Sequence, residues 1–173
     1  MSSVSTATAG RATPDSEVTA IDSDSPRSSA IPSDGKNFMI TDETFQHALA
    51  LHDGDIQLID LTAAHEHLGA CWIWKCVERS GWLGFRNAAS GTYLGADCSG
   101  SGWLRTHSQF LDDSNRICLL PQADGKGFTM RISVKHELRK VEVAAVSLWD
   151  PSEHVFKTAV DITNEMVWCF VEA

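Results

Sequence analysis

The chain has no long apolar run, no Asn-x-Ser/Thr acceptor, no Cys-x-x-Cys pair and no Gly-x-Ser-x-Gly elbow. Each absence removes a class of function. A helical bilayer span needs about 20 consecutive apolar residues, so no membrane partner is expected. The N-terminus also lacks the charged, then apolar, then small-residue pattern of a secretory leader, and a cytoplasmic location is expected. Basic residues are scarce: 14 Lys+Arg stand against 23 Asp+Glu, for a formal charge of −9. Phosphate polyanions attract basic surfaces, so nucleic acid is not an expected partner. The five cysteines, Cys71, Cys76, Cys98, Cys118 and Cys169, are odd in number and read as reduced thiols rather than a disulfide framework.

What is present divides sharply along the chain. Residues 1–36 hold nine Ser, four Thr, five Ala and three of the five Pro, with no aromatic residue. Such a stretch cannot bury enough apolar surface to offset the entropy of ordering its backbone, so a disordered tail is expected there. All six Trp and all seven Phe fall from Phe38 onward, which places the core in a single domain over 37–173. A domain of that length buries about two-thirds of its unfolded surface, enough for stability without metal or disulfides.

That domain reads as short runs of β-branched and aromatic residues broken by Gly, Asp, Asn and Pro, the pattern of an all-β protein. Only Thr62–Leu68 and Phe110–Asn115 could hold a helical turn. Self-similarity then sets the architecture. Ile40, Phe85 and Met130 open three units at intervals of 45 residues, and Ala48, Tyr93 and Leu138 follow eight residues after each as further core candidates. The units close on Trp74–Glu78, Asn115–Leu119 and Trp168–Glu172, with extra residues in the third unit assigned to the loop around Trp149–His154. Units of about 45 residues cannot bury their own apolar faces, so three must share one core. Four strands per unit give a closed six-stranded barrel with a cap of three hairpins, and closure removes the sheet edges that invite aggregation. The expected fold is the β-trefoil.

Gly84-Phe85-Arg86-Asn87-Ala88-Ala89-Ser90-Gly91-Thr92-Tyr93-Leu94-Gly95-Ala96-Asp97 reads as strand, tight turn, strand. Asn87 can hydrogen-bond its own backbone, Ser90-Gly91 supplies the turn, and Gly95 permits a close backbone approach. This order resembles the signature of fascin-like (actin-crosslinking-like) β-trefoils, above all a group of fungal fascin-like proteins whose units end as Trp168–Glu172 does. The resemblance covers residues 37–173, strongly in the second unit and weakly in the others. It implies the fold and a noncatalytic binding or interaction module, protein- or cytoskeleton-associated. A carbohydrate-binding, lectin-like trefoil is the alternative, with a protein or a glycan as the unknown ligand. The Gln-x-Trp element of ricin-type trefoils is missing, because none of Gln46, Gln57, Gln109 or Gln122 has Trp two positions on.

Catalytic and metal chemistry find little support, and no cofactor is expected. His65-Glu66-His67, with Cys71, His47 and His52, is the nearest approach to a metal cluster, but four ligands of workable geometry are not in evidence and a solvated loop is the reading adopted. Asp53-Gly54-Asp55 lacks the further ligands of a calcium loop and reads as a hairpin turn. His136–Lys140 lacks the second His of a zincin and sits in a strand context. Cys76 aligns with Ile117 and Phe170 and reads as a small buried hydrophobe. Trp74 and Trp168 read as core. The binding candidates are Trp103 and Trp149, near loops where amphipathic rings serve recognition, and Trp72, which alternates with Trp74 and can reach the barrel rim. A monomer is expected.

Overall fold

A computed structural model describes residues 28–61, 69–97, 103–145, 154–159 and 166–173. Among the described residues twelve strands follow one another: β1 Asn37–Asp42, β2 His47–His52, β3 Asp55–Asp60, β4 Ile73–Arg79, β5 Trp82–Asn87, β6 Tyr93–Ala96, β7 Leu104–Ser108, β8 Ile117–Pro121, β9 Phe128–Val134, β10 Glu137–Ala145, β11 His154–Ala159 and β12 Trp168–Glu172. The one helical element among the described residues is a 3₁₀ turn, Asp113–Asn115, inside the expected Phe110–Asn115 stretch. The other stretch proposed for a helical turn, 62–68, lies outside the described residues.

Pairing closes a ring. β1 joins β4, β4 joins β5, β5 joins β8, β8 joins β9, β9 joins β12, and β12 returns to β1, every pair antiparallel. The first and last strands of each unit therefore make a six-stranded barrel. The middle strands form the hairpins β2–β3, β6–β7 and β10–β11. β3, β7 and β11 touch one another, so the hairpins assemble as one cap.

The repeat sets the core. Ile40, Phe85 and Met130 are fully buried on β1, β5 and β9, and Cys76, Ile117 and Phe170 are buried on β4, β8 and β12. Phe170 is the centre of an aromatic cluster, stacked on Phe85 at 5.3 Å and edge-on to Phe38 and Phe128 at 6.2 and 5.7 Å. Such pairs contribute about 0.5–1.5 kcal/mol each beyond the area they bury. Trp74 and Trp168 are buried as expected, and the Trp74 indole donates to the Leu49 carbonyl at 2.8 Å.

Turn chemistry fixes the register. Asp53-Gly54, Ser80-Gly81 and Lys135-His136 each link two strands with positive φ at both residues, the geometry whose twist matches that of a hairpin. The second unit turns by another device. The buried Asn87 accepts from the Ala89 and Ser90 amides at 3.1 Å each, its own amide group donates to the Cys71 carbonyl at 2.6 Å, and Gly91 takes φ +71°. Gly95 lies in tight contact, for a Cβ there would stand 3.2 Å from the Ser114 carbonyl oxygen.

Three expectations need correction. Leu138 is exposed rather than core. Thr41 pairs with Ala48 and Arg86 with Tyr93, but Arg131 pairs with Lys140, because the third unit turns in only two residues. That slip leaves Leu138 beside the turn, where little can cover it. The second unit's closing strand begins at Ile117, with Asn115 buried in the 3₁₀ turn before it. Finally, contacts with the barrel begin ahead of Asn37. The Ala30 amide donates to the Phe170 carbonyl at 2.8 Å, the Cys76 amide to the Lys36 carbonyl at 2.8 Å, and the Glu78 amide to Asp34 at 2.8 Å. Residues 28–36 thus satisfy backbone groups at the barrel rim, a role that composition does not announce because most of it is played by the main chain. Residues 1–27 lie outside the described residues.

Candidate functional site

A polar groove of about 760 Å³ opens between the second and third units, lined by His107, Asp112, Asp113, Ser114, Arg116, Lys135 and His136. Three pieces of local structure supply it. β7 carries His107. The 3₁₀ turn carries Asp113 and Ser114, and Asp112 caps it by accepting from the Ser114 amide at 2.9 Å while Asn115 accepts from the Asp112 amide at 2.7 Å. This reciprocal capping box holds the loop in one geometry. The two-residue β9–β10 turn presents Lys135 and His136 at φ +50° and +69°.

The groove's polar groups are already linked. Ser114 Oγ donates to Asp112 Oδ1 at 2.6 Å and lies 3.1 Å from His107 Nε2. Arg116 pairs with Asp113 at 2.5 Å, and His136 Nδ1 approaches the other oxygen of that carboxylate at 3.6 Å. The Arg116 guanidinium also stands over the Trp82 ring, 6.0 Å from its centroid. Burial pushes the Asp112 carboxyl upward, but bonds from the Ser114 hydroxyl and amide and from the Ser108 hydroxyl, with the nearby His107 charge, outweigh it and hold the group below the ordinary range. Ser, His and Asp types meet here, yet the carboxylate accepts the serine's hydrogen bond instead of orienting the imidazole. The connectivity is not that of a nucleophilic triad. What the groove offers is an array of adjacent donors and acceptors. Phe110, 77% exposed, stands on the loop between β7 and the capped turn.

The tryptophans proposed from the sequence lie elsewhere. Trp72 is half-buried in the turn before β4, and Trp103 is half-buried at the start of the β7 segment, its carbonyl accepting from the Asp97 amide at 2.8 Å. Neither lines the groove. Trp149 lies outside the described residues, as do His65 and His67. Among the described residues no cluster of three His, Cys, Asp or Glu could hold a metal ion. Burial, with the Asp34 and Glu78 charges, pushes the Cys76 thiol up to about 11, and burial also raises Cys71 and Cys169. These are protonated thiols at neutral pH. Sequence reasoning missed the groove because its residues come from two units, with Arg116 and Lys135 separated by a long stretch of chain that carries no motif. The capping pattern Asp112-x-x-Asn115 was the available signal.

No family model matches the chain, and no curated protein matches it by sequence. Solved structures do. The GlcNAcα1-4Gal-releasing endo-β-galactosidase of Clostridium perfringens superposes over 80% of this chain at 16% identity and a TM-score of 0.59, and the chain spans 32% of that protein. A Polyporus squamosus lectin bound to the epitope Neu5Acα2-6Galβ1-4GlcNAc matches over 81% at 14% identity and a TM-score of 0.59, with 50% of its length covered. The Macrolepiota procera ricin B-like lectin in complex with lactose matches over 82% at 15% identity and a TM-score of 0.58, and 98% of it is covered. The shared fold is the β-trefoil. At these identities the likeness speaks for the trefoil architecture alone, and it agrees with the closed barrel and three-hairpin cap. No helix of the described residues is long and apolar enough to cross a membrane.

Proposed function

We propose that this trefoil is a noncatalytic carbohydrate-binding module whose ligand occupies the groove between His107 and His136. The observation that carries the reading is the convergence of two imidazoles, a guanidinium, an ammonium, a hydroxyl and two carboxylates in one open depression. Sugar hydroxyls both donate and accept, so they pair best with charged donors and acceptors set side by side, and an exposed ring such as Phe110 suits their apolar C–H faces. Solved trefoils of similar shape include lectins crystallised with saccharides. The missing Gln-x-Trp element is consistent with a ligand held by this groove instead.

The cytoskeletal reading rests on the Phe85–Asp97 stretch, and much of that stretch is occupied in folding: Asn87 and Gly91 build the turn, while Phe85, Tyr93, Leu94 and Ala96 are buried, which leaves Arg86 and Ala88–Ser90 exposed. The glycan reading is therefore placed first. A glycan array probed with the full chain tests it, followed by calorimetry on the best saccharide. His107→Ala and Arg116→Ala are expected to weaken binding about tenfold or more while leaving the fold intact. Absence of any glycan signal, together with co-sedimentation with actin filaments, would reverse the order.

A further inference from the structure

We infer that a second site, for a sulfate or phosphate monoester, lies on the barrel wall at Lys75 and Arg86. It goes beyond the glycan reading and does not depend on it. β1, β4 and β5 set Asn37 opposite Lys75 and Lys75 opposite Arg86, one polar row across three strands. All three are exposed, and Lys75 and Arg86 line a notch of about 370 Å³ with Asn37, Asn87 and the Ala88–Gly91 turn. Directly opposed residues of an antiparallel pair have Cβ atoms about 5 Å apart, where like charges repel. Acidic residues outnumber basic ones by 23 to 14, yet among the described residues neither Lys75 nor Arg86 has a carboxylate within ion-pair distance.

The arginine is also held in advance. Its Nε donates to the Gly91 carbonyl at 2.7 Å, so one of five N–H donors is used. A Cβ on Gly91 would stand 3.1 Å from Arg86 Nη2, and the glycine keeps that approach open. A pre-set guanidinium beside a free ammonium matches an oxyanion: the planar fork takes two oxygens and the ammonium neutralises the remaining charge. Ordering the fork before the ligand arrives removes part of the entropic cost of binding. The neighbouring Ser90 and Thr92 hydroxyls, 2.7 Å apart, add neutral polar groups at the rim.

Titration of the full chain with sodium sulfate, against sodium chloride at matched ionic strength, tests the site through thermal melts and backbone amide shifts. Sulfate should raise the melting temperature and move the Ala88–Gly91 amides, and chloride should not. Lys75→Gln should lose about tenfold in sulfate affinity without loss of basal stability, since it removes the repulsion. Arg86→Gln should lose as much, and Lys36→Gln, at a lysine paired with Glu172 and not among the residues lining the notch, nothing. Galactose 6-sulfate and glucose 6-phosphate then identify the source: preference for either over free sulfate assigns a sulfated glycan or a phosphomonoester, and equal binding means that the notch reads the anion alone. Equal responses to sulfate and chloride, or an unchanged sulfate response in Lys75→Gln, would overturn the proposal. Arg116→Ala should weaken glycan binding about tenfold or more and spare the sulfate response, which separates this failure from failure of the glycan groove.

Discussion

The second and third units make the same chain reversal, from the first strand of the unit to the second, in different ways. After β5 the chain uses five residues, Ala88–Thr92, gathered on the buried Asn87 side chain, which is bonded at both ends, with a glycine where φ is positive. After β9 it uses two, Lys135 and His136, both left-handed and neither a glycine. Left-handed φ at such residues costs of order 1 kcal/mol each. One turn is thus spent on folding, and the other accepts strain while it carries an ammonium and an imidazole into the groove. Strain that persists where a cheaper residue would do points to a use for the side chain.

Asn87→Ala should break the comparison most severely. It leaves the Cys71 carbonyl and two amides without their partner in a buried place, at a cost of about 3 kcal/mol in denaturant unfolding. Gly91→Val should cost about 2 kcal/mol, since it combines a strained φ with crowding of Arg86. The double change Lys135→Asn, His136→Gly should have the opposite sign. It supplies the residues that such a turn prefers and should raise stability by about 1 kcal/mol while weakening glycan binding; a stability loss would mean that the present turn is not strained. The smallest effect is on pH dependence. Burial pushes Asp42 up, but bonds from His47 and Thr44 side chains and from the His47 and Gln46 amides prevail and leave it, like Asp112, below the ordinary 3.8. A folded-state value below the unfolded one stabilises above about pH 4, and that stabilisation is lost as pH falls through the depressed values. Urea midpoints between pH 6 and 3 should fall less for Asp42→Asn than for the parent chain.

The same contrast explains what could be read from residue order. Ile40, Phe85 and Met130 were legible because burial on equivalent strands imposes a fixed interval. Asp53-Gly54 was legible because only a few residues tolerate paired positive φ, and Lys135-His136 was not, because it departs from that preference. Leu138 was misplaced for the same reason, as a shorter turn slips the pairing by two. The groove was least legible: His107, Arg116 and His136 share no spacing rule and meet only when two units pack.

The seam that completes the barrel joins Asn37–Asp42 to Trp168–Glu172, and Phe170, on the later strand, is the ring on which three other phenylalanines converge. On the ribosome, the first strand can pair with β4 early but must wait for nearly the whole domain to be synthesised before it meets β12 on its other side. Nascent intermediates of the domain stay open along one side until Trp168–Glu172 leaves the exit tunnel, and that interval is when a chaperone would matter most.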